Sequence, residues 1–432
     1  MNGSAGYPRN LSYLVKRLSG YSQNCFKLQA LNQTTASAGQ VVTCDMPLNS
    51  LVDFDNVLQG LHFDLCRCEM VIERLEVEIN GQLIGSGCSM YNQLWSIIAD
   101  TTLGEDVTNR RKVLQGSSDI VAAPTANITN QQFAIQNWLG FLGSCKPSIL
   151  DTSILGNVRL RLTLAGPQIL AMSAAGAGAG YTLSDIFFSI DTISIDDGLF
   201  YQMHQNFLQA GNLYEIPFNS FYSFTSTGGM SQSCKFSLST QSLNRCWGCF
   251  ITGANYPLSA APTTGAFLDP ITLTAPYFTR LGNAGTVAYG TATNNTPVTY
   301  ALQSYQFNVK GVYSPNWRPD TNQAYALLMN SYNLSQDTLG GGNKLLDSLS
   351  KWNSGFWVCC QEFEHGSDDY ISGIDTRGSV ASCFWQCQGS ITVGGNVGTG
   401  GINPGSSLTA LIFVQTTSIL RVGAGRQIEL VM

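Results

Sequence analysis

The chain contains 432 residues, of which 44% are hydrophobic and only 12% are charged, and its formal net charge is −6. This length fits two domains of roughly 200 residues each, and the apolar content excludes a disordered chain. The mild acidity offers no basic surface for a phosphate backbone, so we expect no specific binding to nucleic acid.

The low share of charged residues leaves two interpretations of the surface open. Interfaces between subunits are depleted in charge at their centres, so a chain that is covered by copies of itself would have this composition. A secreted β-protein would have it too. No stretch approaches the roughly 18 apolar residues of a membrane-spanning helix, and the first ten residues lack the order of a secretory signal. We therefore expect a soluble protein made in a reducing compartment.

The 13 cysteines have no regular spacing. The single Cys-x-x-Cys pair, Cys246 and Cys249, lies in a predicted strand, where alternation would place the two side chains on opposite faces. A structural zinc site needs two such pairs or added histidines. We therefore interpret the cysteines as small buried hydrophobic residues and expect neither a metal nor a cofactor.

The chain begins with a segment that is punctuated by glycine and proline. We predict that residues 1–23 form an N-terminal arm, which would either fray or strap onto a neighbouring subunit. Residues 25–30 and 40–44 flank a polar loop, and this arrangement predicts that they pair as two strands.

A hairpin is the clearest local signal in the first half. Apolar residues alternate with glutamates over 71–79, and Asn80-Gly81 is the strongest short hairpin turn in the chain, so we predict a return strand at 82–84. Further predicted elements are a helix whose apolar face spans 91–98 and which ends at Asp100-Thr101-Thr102, a segment at 131–143 that fits helix or strand, and a strand at 154–166.

The middle of the chain, residues 183–224, reads as a strand, a short helix and another strand. The apolar residues of the first strand change phase near Asp191, and Gly211 follows the helix as a C-cap residue would. We place the domain boundary here, with a first domain at 24–210 and a second at 211–432.

The second half repeats the layout of the first. Its predicted strands lie at 213–224, 232–241, 245–252, 300–315, 355–363, 378–393 and 407–422, with a last short strand at the end of the chain. A long loop fills 253–298, and a helix spans 321–333 with Asp320 as its cap. The economical architecture is two all-β sandwiches in tandem, each of about eight strands, with short helices in the loops.

One group of residues raises the question of catalysis or metal binding. Glu362, Glu364, Asp368 and Asp369 lie around His365. Paired carboxylates serve in glycoside hydrolysis and in calcium sites. An acidic loop between two strands has the same pattern, and we interpret the group in this way.

No other pattern supports catalysis. The remaining histidines, His62 and His204, have no second histidine at a metal-binding spacing. The glycine-rich stretches lack the lysine and the following helix of a phosphate loop. We therefore predict that the protein is not an enzyme and has no catalytic, cofactor-binding or metal-binding residues.

Four short motifs occur in an order that is similar to that of double jelly-roll major capsid proteins. They are residues 213–222 (LYEIPFNSFY) after an Asp-rich turn and a short helix, 241–245 (QSLNR), 317–319 (WRP) and 372–378 (SGIDTRG). The layout matches over nearly the whole chain. The chain resembles most the capsid proteins of Polinton-like viruses and virophages.

This resemblance implies an all-β fold of two tandem eight-stranded jelly-roll sandwiches, a double jelly roll. It further implies a structural protein of the virion, assembled inside the infected cell as homotrimeric, pseudo-hexagonal capsomers that tile an icosahedral shell. The implied partners are neighbouring capsomers, penton and minor capsid proteins, and an internal membrane. By the same analogy, residues 104–130 and 253–298 would form the outward tower, and residues 1–23 a strap at the base.

The alternative is a tandem β-sandwich that binds or cleaves carbohydrate. Tryptophan and tyrosine on loops, together with the carboxylates near His365, would serve that function. It predicts a monomer with a concave aromatic groove, and such proteins usually carry a secretory signal.

Overall fold

The structure is a computed structural model, and it describes most of the two predicted sandwiches. The described residues are 21–62, 71–85, 87–102, 132–135, 138–169, 181–195, 198–252, 276–278, 280–283, 285–291, 294–332, 352–353, 355–364, 373–379, 383–393 and 408–432. No helix in these ranges is long and apolar enough to span a membrane.

The first half consists mainly of strands. They are β1 (Tyr21–Gln29), β2 (Ala36–Ser37), β3 (Val41–Asp45), β4 (Leu51–His62), β5 (Ile72–Ile79), β6 (Gln82–Ile84), β7 (Gln132–Ile135), β8 (Ile149–Asp151), β9 (Val158–Leu164), β10 (Thr182–Leu183) and β11 (Phe187–Ile195). The helices are α1 (Tyr91–Thr102), α2 (Phe141–Ser144) and α3 (Thr152–Leu155), with a 3₁₀ turn at Pro167–Ile169.

The second half follows a connecting helix, α4 (Gly198–Gln209). Its strands are β12 (Tyr214–Gly228), β13 (Gln232–Lys235), β14 (Leu243–Thr252), β15 (Gly285–Thr291), β16 (Asn294–Val309), β17 (Val312–Ser314), β18 (Cys359–Glu362), β19 (Phe384–Val393), β20 (Leu408–Gly423) and β21 (Gln427–Val431). Helix α5 (Gln323–Ser331) and 3₁₀ turns at Pro276–Phe278 and Ala424–Arg426 complete it.

Both halves have the same strand order. In the first half one sheet runs β1-β11-β4-β7 and the other runs β3-β9-β5-β6. In the second half the corresponding sheets run β12-β20-β14-β18 and β13-β19-β16, with β17 paired to β16 in the place of β6. Each half thus has two antiparallel sheets of four corresponding strands, and β8, β15 and β21 each add a fifth strand to one of three of these sheets. Sheets connected in this way form a jelly roll. The predicted fold class, two tandem eight-stranded jelly rolls, is therefore confirmed.

Alternation of apolar and polar residues drives each sandwich together. On β9 every second residue from Val158 to Leu164 is buried, while Arg159, Arg161 and Thr163 point away from the core. On β5 the predicted alternation is present as well, with Leu75 buried between outward-facing residues. The sheet that contains β9 and β5 therefore has one apolar face, and packing this face against the opposite sheet removes it from water.

The buried side chains form two clusters. The first contains residues from β3, β5, β9 and β11, and the second contains residues from β14, β16, β18 and β19. Strands β12 and β20 belong to both clusters, since Ile216 and Leu420 pack in the first, whereas Phe221 and Val414 pack in the second. The long β12–β20 ribbon, paired from Tyr214 to Gly228, therefore joins the two cores.

Helix α1 also contacts both cores. Tyr91 and Trp95 belong to the first cluster, and Leu94 and Ile97 to the second. The helix spans Tyr91–Thr102, and its predicted end at residues 100–102 is confirmed. Because two of its faces pack against different sandwiches, the helix fixes their relative position.

A tight turn marks the corresponding end of each sandwich. The first lies between β5 and β6 at Asn80-Gly81, as predicted, and the second lies between β16 and β17 at Lys310-Gly311. In both turns the first residue is left-handed, with φ of 49° at Asn80 and 58° at Lys310. This conformation matches the twist of a two-residue hairpin. We call these two regions the turn ends.

Several predicted details of the join between the halves are confirmed. The phase change near Asp191 is an irregularity in the pairing of β11 with β4, between Ser189 and Asp191. Gly211 follows α4 with φ of 81°, and its amide donates to the carbonyl of Leu208. Glycine adopts this conformation at no steric cost, which is why the helix ends there.

Two sequence predictions in the first half are wrong. Residues 25–30 do not pair with 40–44, because β1 pairs with β11 and β3 pairs with β9 in the opposite sheet. Jelly-roll topology requires this long-range pairing, and local sequence carries no sign of it. Strand β1 also begins at Tyr21, inside the predicted arm of residues 1–23. The rest of the arm, 1–20, lies outside the described residues.

The predicted loop at 253–298 is also too long. Strand β15 lies inside it, and β16 begins at Asn294, with Thr291 paired to Asn294. These segments are rich in Gly, Thr and Asn, which read as loop residues in the sequence. Residues 253–275 lie outside the described residues, as does the whole of the predicted tower segment 104–130.

Candidate functional site

Two of the capsid-like motifs meet at the turn end of the second jelly roll. Leu243, in the motif 241–245, exchanges two backbone hydrogen bonds with Ile374, in the motif 372–378, at 2.9 and 3.0 Å. The amide of Gly373 donates to Oγ of Ser242 at 3.0 Å. A Cβ at Gly373 would lie 2.4 Å from the carbonyl oxygen of Leu243, so only glycine permits this approach.

Asn244 extends the contact into the sheet. It is 2% exposed, accepts from Ser242 Oγ at 2.7 Å and donates from Nδ2 to Thr417 Oγ1 at 2.7 Å. Its backbone carbonyl accepts from the amide of Phe363 at 2.7 Å. Buried amides need such partners, so Asn244 fixes β14, β20 and the residue after β18 in one arrangement.

Thr376 anchors the motif 372–378. It is 1% exposed, and its Oγ1 donates to the carbonyl of Leu238 at 2.7 Å. The amides and hydroxyl of Thr376 and Thr240 bond reciprocally, with Thr376 N to Thr240 O at 2.9 Å and Thr240 N to Thr376 Oγ1 at 3.1 Å. The segment before β19 is thereby held against the segment before β14.

The third motif, 317–319, packs along β16. The Gln306 side chain is 7% exposed, and its Nε2 donates to the carbonyls of Pro315 and Trp317 at 3.1 and 3.0 Å. Arg318 donates from Nε to Gln306 Oε1 at 3.3 Å. These bonds hold the motif over the outer face of the sheet that contains β13, β19 and β16.

The acidic group near His365 is only partly described. Glu362 lies on β18 opposite Arg245 on β14, and Arg245 Nη2 donates to Glu362 Oε1 at 2.7 Å. His365, Asp368 and Asp369 lie outside the described residues, while Glu364 lies within them. Among the residues that the structure describes, no three His, Cys, Asp or Glu side chains are placed to hold a metal ion.

His204 joins the connecting helix to the second jelly roll. Its Nδ1 lies 2.5 Å from the hydroxyl of Tyr214, at the start of β12. Burial, together with the charge of Asp151, raises the pKa of Tyr214. The imidazole therefore takes part in a contact between α4 and β12. The side chain of His62 lies outside the described residues.

The described cysteines are almost all buried. Ten of the eleven are buried, only Cys25 is exposed, and all eleven are free thiols. Both Cys246 and Cys249 are 0% exposed, because β14 is covered on both faces. The interpretation of this Cys-x-x-Cys pair as two buried hydrophobic residues is therefore confirmed. Cys66 and Cys68 lie outside the described residues.

The tryptophans bear on the carbohydrate alternative. Six of the seven in the chain are at most 5% exposed: Trp95, Trp138, Trp247, Trp352, Trp357 and Trp385. Only Trp317 is exposed, at 52%. Six of the tryptophans thus fill the cores, and Trp317 is the one tryptophan whose side chain is exposed enough to serve a sugar-binding groove.

Comparison with known proteins adds to these observations at the level of the fold. No family model matches the chain, and no curated protein matches it. Among solved structures, PBCV-1 VP54, fitted into a reconstruction of the virophage Sputnik, is 15% identical with a TM-score of 0.61. The match covers 95% of this chain and 97% of that chain. The chain folds as a double jelly roll.

Two further structures agree. The quasi-atomic model of the PBCV-1 virus capsid gives the same TM-score of 0.61 at 15% identity, covering 95% of this chain and 97% of that one. The Faustovirus major capsid protein has a TM-score of 0.54 at 7% identity, over 93% of this chain and 91% of its own. The resemblance of the double jelly roll to viral major capsid proteins is thus confirmed for the fold.

Proposed function

We propose that the protein is a viral major capsid protein, a structural subunit that assembles as homotrimeric capsomers. One observation carries the proposal: two jelly rolls of identical strand order lie in one chain, in an arrangement similar to PBCV-1 VP54 over nearly the full length of both chains. Three such chains present six similar sandwiches, so a threefold ring has a pseudo-hexagonal outline. Hexagonal units of this kind tile the faces of an icosahedron.

The domain organisation follows the same plan. Residues 24–210 would form the first jelly roll and 211–432 the second, with α4 as the connection. The two buried clusters support this division. The β12–β20 ribbon and α1 contact both cores, and they would keep the pair of sandwiches rigid when a ring of three chains closes.

The turn ends offer a surface for further partners. Large apolar side chains are exposed there: Leu48 at 57% and Ile149 at 41% in the first jelly roll, and Val312 at 68% and Tyr313 at 42% in the second. Exposed apolar groups at one end are typical of contact surfaces. Neighbouring capsomers, penton and minor capsid proteins, and an internal membrane are the partners we propose.

We place the protein in the virion, after assembly inside the infected cell, with a structural and not an enzymatic role. The described carboxylate Glu362 is paired with Arg245 across β18 and β14, an arrangement that stabilises a sheet. The four residues whose substitution would test catalysis directly, Glu362, Glu364, Asp368 and Asp369, should be dispensable for capsomer formation.

The test is the mass of the purified protein by light scattering, followed by electron microscopy. We expect a species near three times 46.6 kDa that persists on dilution, and shells or hexagonal arrays at high concentration. A monomer at all concentrations, with no arrays, would contradict the proposal. A glycan screen on that monomer would then test the carbohydrate alternative.

A further inference from the structure

The two jelly rolls present equivalent outer faces with opposite chemistry. In the first, the outer face of β3, β9 and β5 is charged, and we call it the charged face. In the second, the outer face of β13, β19 and β16 carries glutamine and serine, and we call it the amide face. The comparison is internal to one chain, since these strands correspond in the two topologies.

The arginines of the charged face form ion pairs with carboxylates of the same face. Its three arginines each pair with a carboxylate on the same face: Arg159 with Asp45 through two bonds of 2.7 and 3.0 Å, Arg74 with Glu76 at 3.0 Å, and Arg161 with Glu78. Three positive and three negative groups cancel. Such a face is well solvated and requires no partner.

The amide face has a different composition. Ser233, Gln386 and Gln306 lie side by side across β13, β19 and β16, and Gln388 lies opposite Ser304 in the next row. These residues line a cleft of about 510 Å³. Trp385 and Cys387, which alternate with the two glutamines on β19, point into the core. Gln306 is itself covered by residues 315–318, so the side chains of this face that can contact a partner are Ser233, Gln386 and Gln388.

Its few charges are all positive. Arg318 borders the cleft and Lys235 ends β13, whereas no Asp or Glu is among the residues that line the cleft. Arg318 donates to Gln306 and forms no ion pair with a described carboxylate. The face is thus neutral to weakly cationic on a chain whose net charge is −6.

These properties fit another copy of the same chain. Interface centres are depleted in charge relative to the rest of a surface, and the charged face shows that this depletion is not general to the fold. Amide groups both donate and accept, so they pair with polar groups of either kind. Two acidic chains repel each other least where one of them presents an uncharged or cationic surface.

We infer that the amide face is the surface on which a second copy of this chain docks. The charged face remains in contact with solvent. The inference rests on the proposed function and deepens it, because it names the surface through which chains associate. The contact would be heterologous: the amide face of one chain meets a different surface of the next, as ring closure requires.

The experiment compares isosteric charge changes on and off this face. The test variant is Gln386→Glu with Gln388→Glu, which adds two negative charges to the amide face. The control is Gln29→Glu with Gln40→Glu, which adds the same charges at exposed glutamines at the end of β1 and just before β3, away from the amide face and the turn ends. Circular dichroism and thermal melts establish that each variant is folded, and light scattering over a dilution series measures association.

We expect the test variant to dissociate at a protein concentration at least tenfold higher than wild type, with the control unchanged, and the loss to lessen in high salt. Gln388→Trp places a bulky side chain at an exposed position of the amide face and should weaken association equally. This variant replaces the double variant if the latter does not fold. Association of both amide-face variants at wild-type strength would overturn the inference and leave the proposed function standing. Equal losses in test and control would overturn it as well. A monomeric wild type would instead refute the proposed function.

Discussion

Thr152 and Thr376 hold the same position in the two jelly rolls. Thr152 N donates to Ser50 O at 3.0 Å and Thr152 Oγ1 accepts from Ser50 N at 3.0 Å, which repeats the reciprocal bonding of Thr376 with Thr240. Each threonine is 1% exposed. Each hydroxyl also donates to the carbonyl of a residue just before that partner: Thr152 to Pro47, which precedes Ser50, and Thr376 to Leu238, which precedes Thr240.

The residues that precede them correspond too. Asp151 accepts from the amide of Ser153 at 2.8 Å, and Asp375 accepts from the amide of Arg377 at 2.9 Å. An Asp-Thr pair thus closes the turn end of each sandwich, by an aspartate turn and a buried hydroxyl. The two jelly rolls therefore correspond in individual hydrogen bonds as well as in strand order.

Replacing either threonine by valine should destabilise the protein. Valine keeps the shape and removes the hydroxyl, leaving a buried amide and a carbonyl without partners, which costs about 1–3 kcal/mol. We expect Thr152→Val and Thr376→Val to lower the urea midpoint by similar amounts, and Thr→Ser at either site to lower it much less. Valine variants as stable as wild type would show that the hydroxyls are not anchors.

The buried pair of Arg280 and Asp100 should be more sensitive. Arg280 is 0% and Asp100 2% exposed, their Nη2 and Oδ2 atoms lie 2.5 Å apart, and Arg280 Nη1 also donates to Ser96 Oγ at 3.2 Å. Removing one partner leaves an uncompensated buried charge, so Arg280→Met or Asp100→Asn should cost about 3–5 kcal/mol.

Urea unfolding measures this loss, with Glu215→Gln as the control. Glu215 pairs with Arg421 at 2.9 Å on the exposed side of the β12–β20 ribbon, where an ion pair contributes less than about 1 kcal/mol. Arg280→Met combined with Asp100→Leu should recover part of the loss, since no charge remains buried. Equal effects at the buried and exposed pairs would contradict the assignment of α1 as a rigid link between the cores.

The thiols should divide sharply by reactivity. Burial raises the pKa of Cys44, Cys88, Cys249 and Cys360 to about 12, so almost no thiolate exists near neutral pH. In a variant with Cys66 and Cys68 replaced by serine, we expect an aromatic disulfide reagent to label one thiol, Cys25, in the native state and all eleven after denaturation.

Cys25→Ser in that background removes the native signal and provides the control. Rapid labelling of several thiols in the folded protein would mean that the second core opens readily, against the packing described here. Mass spectrometry of the labelled peptides identifies the reacting residue in either case.

Asp375 should make stability depend on pH in the acid range. Two hydrogen bonds from the Arg377 side chain, at 3.0 and 2.7 Å, lower the pKa of this carboxyl to about 2, below its ordinary value of 3.8. A folded pKa below the unfolded one stabilises the protein above pH 3.8, and this stabilisation is lost as pH falls through 2.

Urea midpoints of wild type and Asp375→Asn between pH 5 and pH 2 test this sign. The advantage of wild type should be largest at pH 5 and shrink toward pH 2. Arg377→Gln should reduce this pH dependence, because the folded pKa of the carboxyl then lies nearer its ordinary value of 3.8. A difference that stays constant over the range would show that the ion pair does not form in solution.

The local elements were predictable because their signals are local. Asn80-Gly81 specified its hairpin through left-handed backbone geometry. At α5 the Asp320 carboxylate accepts from the amides of Asn322 and Gln323, and Gln323 Oε1 accepts from Asp320 N at 3.2 Å. This reciprocal cap is visible in sequence as an acidic residue three positions before a glutamine. The helix itself begins at Gln323, two residues later than predicted.

Part of the candidate site was also predictable, although its assembly was not. The motifs around Leu243 and Ile374 were visible as separate stretches, but their direct contact joins residues far apart in sequence. The Asp-Thr pair of the first jelly roll, Asp151 and Thr152, was missed. A search of the first half for an Asp-Thr pair that follows an Ile or Leu would have found it, together with Asp191-Thr192.

The sequence alone determined the strands, turns and caps, the two apolar halves and the low charge, because alternation, turn residues and composition act over a few neighbours. Only the tertiary structure decided which strands pair, that Tyr21 lies opposite Ile195, and that one outer face is charged while its counterpart carries amides. Pairing partners are chosen by burial across the whole sandwich, since main-chain hydrogen bonds are alike for every residue. Strand pairing brings side chains that are distant in sequence onto one face, and together they determine whether that face is charged or neutral.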